Sequence, residues 1–356
     1  MSEPTDAKPA ESSLAEAKPA EAKPAFRSWD TTIARGVAAL LIVNSHLERF
    51  YPIPWLADGG QIGNLGFFFI SGLGLGLSKR SEDSFFGWCR RRFSRIFPTV
   101  WFCLIPTAVL INGGWKTWGL ADYFERLVWP IEGYHFLERI LLYYVVLYFL
   151  LAACKQTKAL LWVLAANVAA VLAISVLVPP NANPAGVFQL GSAPESYKWT
   201  FYFSAMLTGI VLGRSTKPEN HSWKWLLGGT VLCAIGYLVL KFLIVVKQTL
   251  TEWYAVQGYI TLLLCVLAVM TLAHPVVSAA IKRVRWLDWA MGLVGAASLE
   301  LYLLHFQLLH MGQPVPCDFL GFAERPIAAL LIAAGLATMV ASAVRQMRRS
   351  RSVAVN

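Results

Sequence analysis

The sequence predicts an all-α polytopic membrane protein with about ten transmembrane helices, and three observations predict it. Of its 356 residues, 56% are hydrophobic and only 15% are charged, against about 25% charged in an ordinary soluble domain. From Thr31 onward the apolar residues gather into ten segments, 31–50, 60–78, 97–112, 137–154, 158–178, 196–213, 223–246, 253–273, 293–311 and 326–344. Each is near the ~20 residues that a helix needs to cross a bilayer. With the N-terminus placed in the cytoplasm, the cytoplasmic segments hold 22 Lys and Arg residues and the external ones 7, leaving Arg35 and Lys241 within spans. That asymmetry is the one that orients membrane proteins, so both termini are expected on the cytoplasmic side. The net charge of +10 is then a consequence of topology and calls for no nucleic acid.

Residues 1–27 repeat Ala-Lys-Pro-Ala from Ala7, Ala17 and Ala22 and contain Leu14 as the one large aliphatic residue after Met1. This composition reads as a disordered cytoplasmic tail, and it lacks the apolar run of a signal peptide. Residues 28–345 read as the membrane domain, and 346–356 as a basic cytoplasmic tail with Arg348, Arg349 and Arg351.

Titratable groups within a bilayer cost at least ~2.5 kcal/mol each, which makes them the first places to look for function. In this chain they are Arg35, His46, Lys241, Glu300 and His305. Eleven residues turn a helix by about 1100°, so Arg35 and His46 share one face of the first span, roughly 16 Å apart along it. The second span carries Asn64 and the run Phe67-Phe68-Phe69-Ile70-Ser71-Gly72. Its Gly72-Leu73-Gly74-Leu75-Gly76 has no βαβ context and reads as close helix packing, not as a dinucleotide fingerprint. Arg90, Arg91, Arg92 and Arg95 precede the third span. In the ninth span, Ser298, Tyr302 and His305 fall on one face, with Glu300 turned elsewhere. The six cysteines are scattered, and His305 and His310 stand five apart, a poor spacing for a shared metal; none is expected.

Taken in order, Arg35 with His46 eleven residues on, the Phe-Phe-x-x-Ser-Gly span, the stretch Arg91-Arg92-Phe93-Ser94-Arg95-Ile96-Phe97-Pro98 and the helix Ser298-Leu299-Glu300-Leu301-Tyr302-Leu303-Leu304-His305 resemble the acyltransferase 3 family of integral-membrane acyltransferases. The resemblance covers about residues 28–345. It implies ten helices and transfer of an acyl group, usually acetyl from acetyl-CoA, to a hydroxyl of a glycan or other envelope molecule. It further implies a plasma membrane location, the inner membrane in bacteria, and an essential His46 and Arg35, with His305 also at a family position. Two features depart from the pattern. Many relatives carry an acidic residue where this chain has Asn64, Leu65 and Gly66, and Asp30 stands two residues farther from Arg35 than usual. Asp58, in the loop before the second span, is a candidate replacement for that carboxylate.

The residues fit this chemistry without a permanently bound cofactor. A thioester is already activated, so the principal need is a base for the acceptor hydroxyl, and His46 titrates in a suitable range. Asn64, Ser71 or Arg35 could supply donors to the developing oxyanion, Tyr302 is a further substrate or oxyanion candidate, and His305 could equally orient His46 or meet the acceptor. Arg91, Arg92 and Arg95 offer forked guanidinium groups to the phosphates of an acyl-CoA co-substrate. The rival class is a transporter or flippase using Arg35, His46, Glu300 and His305 as a proton or substrate path. No repeat relates the two halves of the chain, as many such transporters would require.

Overall fold

The computed structural model describes residues 29–47, 56–78, 84–106, 119–128, 134–178, 193–247 and 253–309, with Tyr51, Val109 and Gly335. The tails 1–27 and 346–356 lie outside these residues, as do Cys317 and all of the tenth predicted span except Gly335. The described residues form helices and no strand. In chain order the helices are α1 (Thr32–Ser45), α2 (Gly60–Leu77), α3 (Phe85–Pro106), α4 (Leu120–Val128), α5 (His135–Ala153), α6 (Thr157–Leu177), α7 (Glu195–Ser215), α8 (Trp223–Lys241), α9 (Tyr254–Ala273), α10 (Pro275–Arg283), α11 (Arg285–Ala296) and α12 (Ser298–Leu309).

Five of them are long and apolar enough to cross a membrane: α2, α5, α6, α9, and α8 with its continuation to Ile244. The pair α11 and α12 makes a sixth if it is one span, bent by 67° at Ala297. Two boundaries differ from the hydropathy segments. Residues 97–106 of the segment 97–112 belong to a helix that starts at Phe85, because Trp88 is buried while Arg90, Arg91 and Arg95 are exposed; the arginines lower the hydropathy without interrupting the helix. The ninth segment, 293–311, is cut in two by the break at Ala297.

Helix α2 is the centre of the bundle. It packs most closely on α7, and also on α1 and α9; Leu65, Phe68, Phe69 and Leu73 are sealed among them. Small residues bring these helices together. A Cβ at Gly72 would strike the backbone oxygen of Met206, one at Gly209 the backbone oxygen of Phe69, and one at Gly63 the backbone oxygen of Ala38. The glycine run therefore does serve helix packing, as the sequence suggested. Gly59, at φ 103°, turns the chain into α2 in a conformation that only glycine adopts cheaply. Helices α6 and α8 lie at the edge, where Trp162, Leu232 and Trp225 are exposed, as suits surfaces that face lipid.

Candidate active site

Helices α1 and α12 touch, α12 touches α3, α3 touches α5, and α1 touches α2. Rings of α2 and α5 close the circuit, with Phe67 and Phe136 at 5.9 Å and Phe68 and Phe136 at 4.7 Å. Five helices thus form a ring, and the sequence-predicted site residues sit on it at two levels.

The first level is a histidine pair. His46 caps the C-terminal end of α1 and is exposed; His305, on α12, is 2% exposed. Their ring centroids are 4.9 Å apart. Residues from opposite ends of the membrane domain therefore meet. The Nδ1 of His305 lies 3.0 Å from the backbone oxygen of Leu301. Tyr302 stands beside it, 6.0 Å between centroids, and continues through Phe136, Phe68 and Tyr202 as a run of ring contacts at 5.1, 4.7 and 5.1 Å. Tyr202 shares a hydrogen bond with the Asn64 side chain.

The loop behind His46 is held on two sides. The Asn44 amide donates to the backbone oxygens of Leu56, at 3.2 Å, and Asp58, at 2.8 Å. The Asp58 carboxylate receives Tyr237 Oη at 2.7 Å and Lys241 Nζ at 2.6 Å. Asp58 thus neutralises the intramembrane Lys241. Glu300 is buried against Thr99, with which it shares a hydrogen bond. It lies in the first turn of α12, where a carboxylate opposes the positive end of the helix.

The second level is a set of cations and their aromatic covers. The Arg92 guanidinium lies 4.8 Å from the centre of the Trp88 ring and 5.8 Å from that of Tyr144. Tyr144 Oη is 2.6 Å from Ser71 Oγ, and Trp88 Nε1 donates to the Tyr144 backbone oxygen at 3.0 Å. Arg91 and Arg95 are exposed. In the antiparallel α1–α2 pair, Ser45 lies against Gly60, Ile42 against Gly63 and Ala38 against Gly66, a register that brings Arg35 level with Ile70 and Ser71. Both Arg35 and Arg92 are half-buried, and the Nε of each is sealed without a partner. Among the described residues, neither pairs with a carboxylate. The contrast is with Arg139–Glu195 at 2.6 Å, Lys241–Asp58 at 2.6 Å and Lys282–Asp30 at 2.9 Å. In the last of these, Lys282 holds the Asp30 carboxyl below its usual range, and Asp30 raises the Lys282 ammonium.

The structure thus brings His46, His305 and Tyr302 together, and places Arg35, Ser71 and Arg92 at another depth. About 16 Å separates Arg35 from His46 along α1. Asn64 and Ser71 are about 10 Å apart along α2 and do not face one reacting carbonyl together. Sequence reading missed Tyr144, Trp88, Tyr202 and Phe136, because aromatic residues are too frequent in such spans for any one to stand out. It also left out Arg139, placed at a span edge. Arg139 is 6% exposed and lies over the rings of Trp199 and Tyr202 at 5.4 and 5.6 Å. Its signal was available as a cation that recurs beside Tyr143 and Tyr144 in an apolar helix. Among the described residues no cluster of His, Cys, Asp or Glu could hold a metal ion.

No curated protein and no solved structure is detectably similar to this chain. A family model described as an acyltransferase domain matches residues 30–344, which takes in both levels of the site and every helix described above. The chain belongs to the acyltransferase 3 family of membrane acyltransferases.

Proposed function

We propose that the protein moves an acyl group, acetyl in the simplest case, from acyl-CoA to a hydroxyl of a cell-surface glycan or other envelope acceptor, with His46 as the general base. One observation carries the reading. Two half-buried guanidinium groups that form no salt bridge among the described residues, Arg92 and Arg35, the latter under the weaker influence of an Asp30 carboxylate already held by Lys282, stand about 16 Å in depth from a pair of histidines. A buried cation with no anion is costly, and a bound anion removes that cost. Coenzyme A offers phosphates at one end and the thioester at the other end of an extended pantetheine arm. With its phosphates among Arg35, Arg92 and the exposed Arg91 and Arg95, the arm lies along Ser71 and Tyr144 and brings the acyl carbonyl toward the histidines.

At the other end His46 takes the proton of the acceptor hydroxyl as the oxygen attacks the thioester carbon, and the coenzyme A thiolate departs. Asn64 is the nearer of the two α2 candidates for the oxyanion, being the closer in sequence to the start of α2; Ser71 is held by Tyr144 and belongs to the donor arm. The exposed end of α1 leaves room for a glycan, and Tyr302, Phe136 and Tyr202 supply ring faces. The protein lies in the plasma membrane, the inner one in bacteria, with both termini and the arginine end in the cytoplasm. The engagement of Glu300 by Thr99 accounts for one of the residues that a proton path would need.

His46→Ala tests the proposal. General base catalysis contributes about 10²–10⁴ in rate, so acetyl transfer from acetyl-CoA to envelope glycans, followed by mass spectrometry, should fall by at least ~10²-fold while the amount of folded protein is unchanged. Near-normal transfer by this variant would remove His46 from the chemistry.

A further inference from the structure

We propose that Arg139 binds a carboxylate carried by the acceptor, and that Glu195 holds its place until the acceptor arrives. The inference rests on the acyl-transfer reading and makes the acceptor an acidic glycan, one built with uronic or other carboxylated sugars. Arg139 is 6% exposed, yet among the described residues its guanidinium makes one hydrogen bond, from Nη2 to Glu195 Oε2 at 2.6 Å. Its Nε is sealed without a partner. A guanidinium presents five donors in a fork that fits both oxygens of a carboxylate, so Glu195 leaves most of this fork unused. The cause is that Glu195 is divided, its other oxygen receiving Lys198 Nζ at 2.9 Å. Two cations share one anion, and the trio keeps an excess of positive charge. The adjacent Glu138 is turned to His135, 3.3 Å away.

The surroundings suit a sugar. Glu195, Lys198, Trp199 and Tyr202 stand at i, i+3, i+4 and i+7, so they share the face of α7 turned to Arg139. The guanidinium lies over the rings of Trp199 and Tyr202, both half-buried, and Tyr143 Oη donates to the Trp199 backbone oxygen. Access is from the Glu195 side, whose side chain is 57% exposed against 7% for Arg139. An incoming carboxylate takes the fork while Glu195 swings out, keeping Lys198 and water. At no stage is the buried cation left without an anion, the state that costs most. A carboxylate is favoured over a phosphate because the group the protein itself puts there is a carboxylate.

The site lies at the histidine end of the bundle. Tyr202 shares a hydrogen bond with Asn64, early in α2, and Gly60 at the start of α2 lies against Ser45, next to His46. Phe136, one helical turn before Arg139, meets the Tyr302 ring at 5.1 Å, and Tyr302 meets His305 at 6.0 Å. A glycan anchored by its carboxylate at Arg139 therefore extends its hydroxyls along these rings toward His46.

The test uses the full-length protein in lipid nanodiscs without acyl-CoA. The probes are glucuronate, galacturonate and N-acetylneuraminate, compared with glucose, galactose and glucose 6-phosphate, and binding is read by saturation-transfer difference NMR. At least one acid should bind the parent where the neutral sugars do not. For that acid, Arg139→Gln and Arg139→Lys should weaken binding by about tenfold or more. Glu195→Gln removes the competing carboxylate and should tighten binding by about tenfold; Glu195→Asp, which keeps a charge for folding but reaches less far, should tighten it by a smaller factor. A purely structural ion pair would instead make all four variants change in one direction. No signal from any acid, equal binding of acid and neutral sugars, or weaker binding in both Glu195 variants would overturn the site. Tighter binding of glucose 6-phosphate than of the acids would overturn the carboxylate assignment. These measurements need no acyl donor, so they judge the site even if the acyl-transfer reading fails. With that reading correct, Arg139→Lys should also raise the KM for an acidic glycan by about tenfold and leave that for acetyl-CoA within about twofold.

Discussion

Two glycines two residues apart on α2 should respond to the same added methyl group with opposite signs. At Gly72 a Cβ would strike the Met206 backbone oxygen, with the Met206 Cα only 3.0 Å away. A backbone atom has no rotamer by which to yield, so α2 and α7 must part. Overpacking of this kind costs ~1–3 kcal/mol, and a gap of about 0.5–1 Å forfeits a quarter to a half of the dispersion energy along the opened contact. We expect Gly72→Ala to lose about 3 kcal/mol. At Gly74 a Cβ meets nothing within 4 Å, so Gly74→Ala keeps every contact and gains the helix preference of alanine over glycine, up to ~1 kcal/mol. Thermal unfolding of the detergent-solubilised protein, followed by tryptophan fluorescence, should therefore shift down for the first variant and slightly up for the second. Shifts of the same sign, or a Gly72→Ala protein that melts with the parent, would refute the close approach of α2 and α7.

Two further outcomes follow from the ion pairs and a third from Arg92. Lys241→Met strands the Asp58 carboxylate; breaking a buried pair costs ~3–5 kcal/mol, and the partial exposure of Asp58 reduces this to about 2–3. Adding Asp58→Asn should restore most of the loss in the same melting assay. The Asp30–Lys282 pair contributes under ~1 kcal/mol, since both groups are well exposed. Because the Asp30 value is depressed, that contribution is present above the ordinary carboxylate range and fades as pH falls through the lowered value; Lys282→Ala should flatten the acid limb of stability against pH. Arg92→Gln removes the half-buried guanidinium at the donor level. It should raise the KM for acetyl-CoA by at least tenfold with a smaller effect on turnover, whereas equal kinetics would return Arg92 to a purely structural place over Trp88.

Much of this architecture was legible because hydrophobicity and charge are read directly from residue type. The spans that became α2, α5, α6, α7, α8 and α9 agree with their helices within two residues at most ends. The failures have a common physical cause. A hydropathy window registers what a segment averages, so it could not separate the arginine-bearing first half of α3 from a connection, nor see the break at Ala297 within an apolar run. The site was legible where a residue was costly in a membrane: Arg35, His46 and His305 announced themselves for that reason. Which of them meet was not, because the contact of His46 with His305 depends on how α1 and α12 pack. The aromatic partners of Arg92 and the fate of Asp58 required the same three-dimensional knowledge.

The broken span has a consequence for how the protein is made. Helix α11 lies against the early part of α1, where a Cβ at Gly295 would strike the backbone oxygen of Thr32, and α12 brings His305 to His46 at its far end. Both halves of one late segment therefore clasp the first of the described helices. His305 is added 259 residues after His46, a delay of about 13–50 s at ~5–20 residues per second. During that interval α1 has α2 as its early partner, while the polar side that carries Arg35 and His46 waits for its cover. Insertion of this protein is thus completed from its C-terminal end, and a ribosome stalled before α11 would leave a hairpin whose polar face must be held by the insertion machinery.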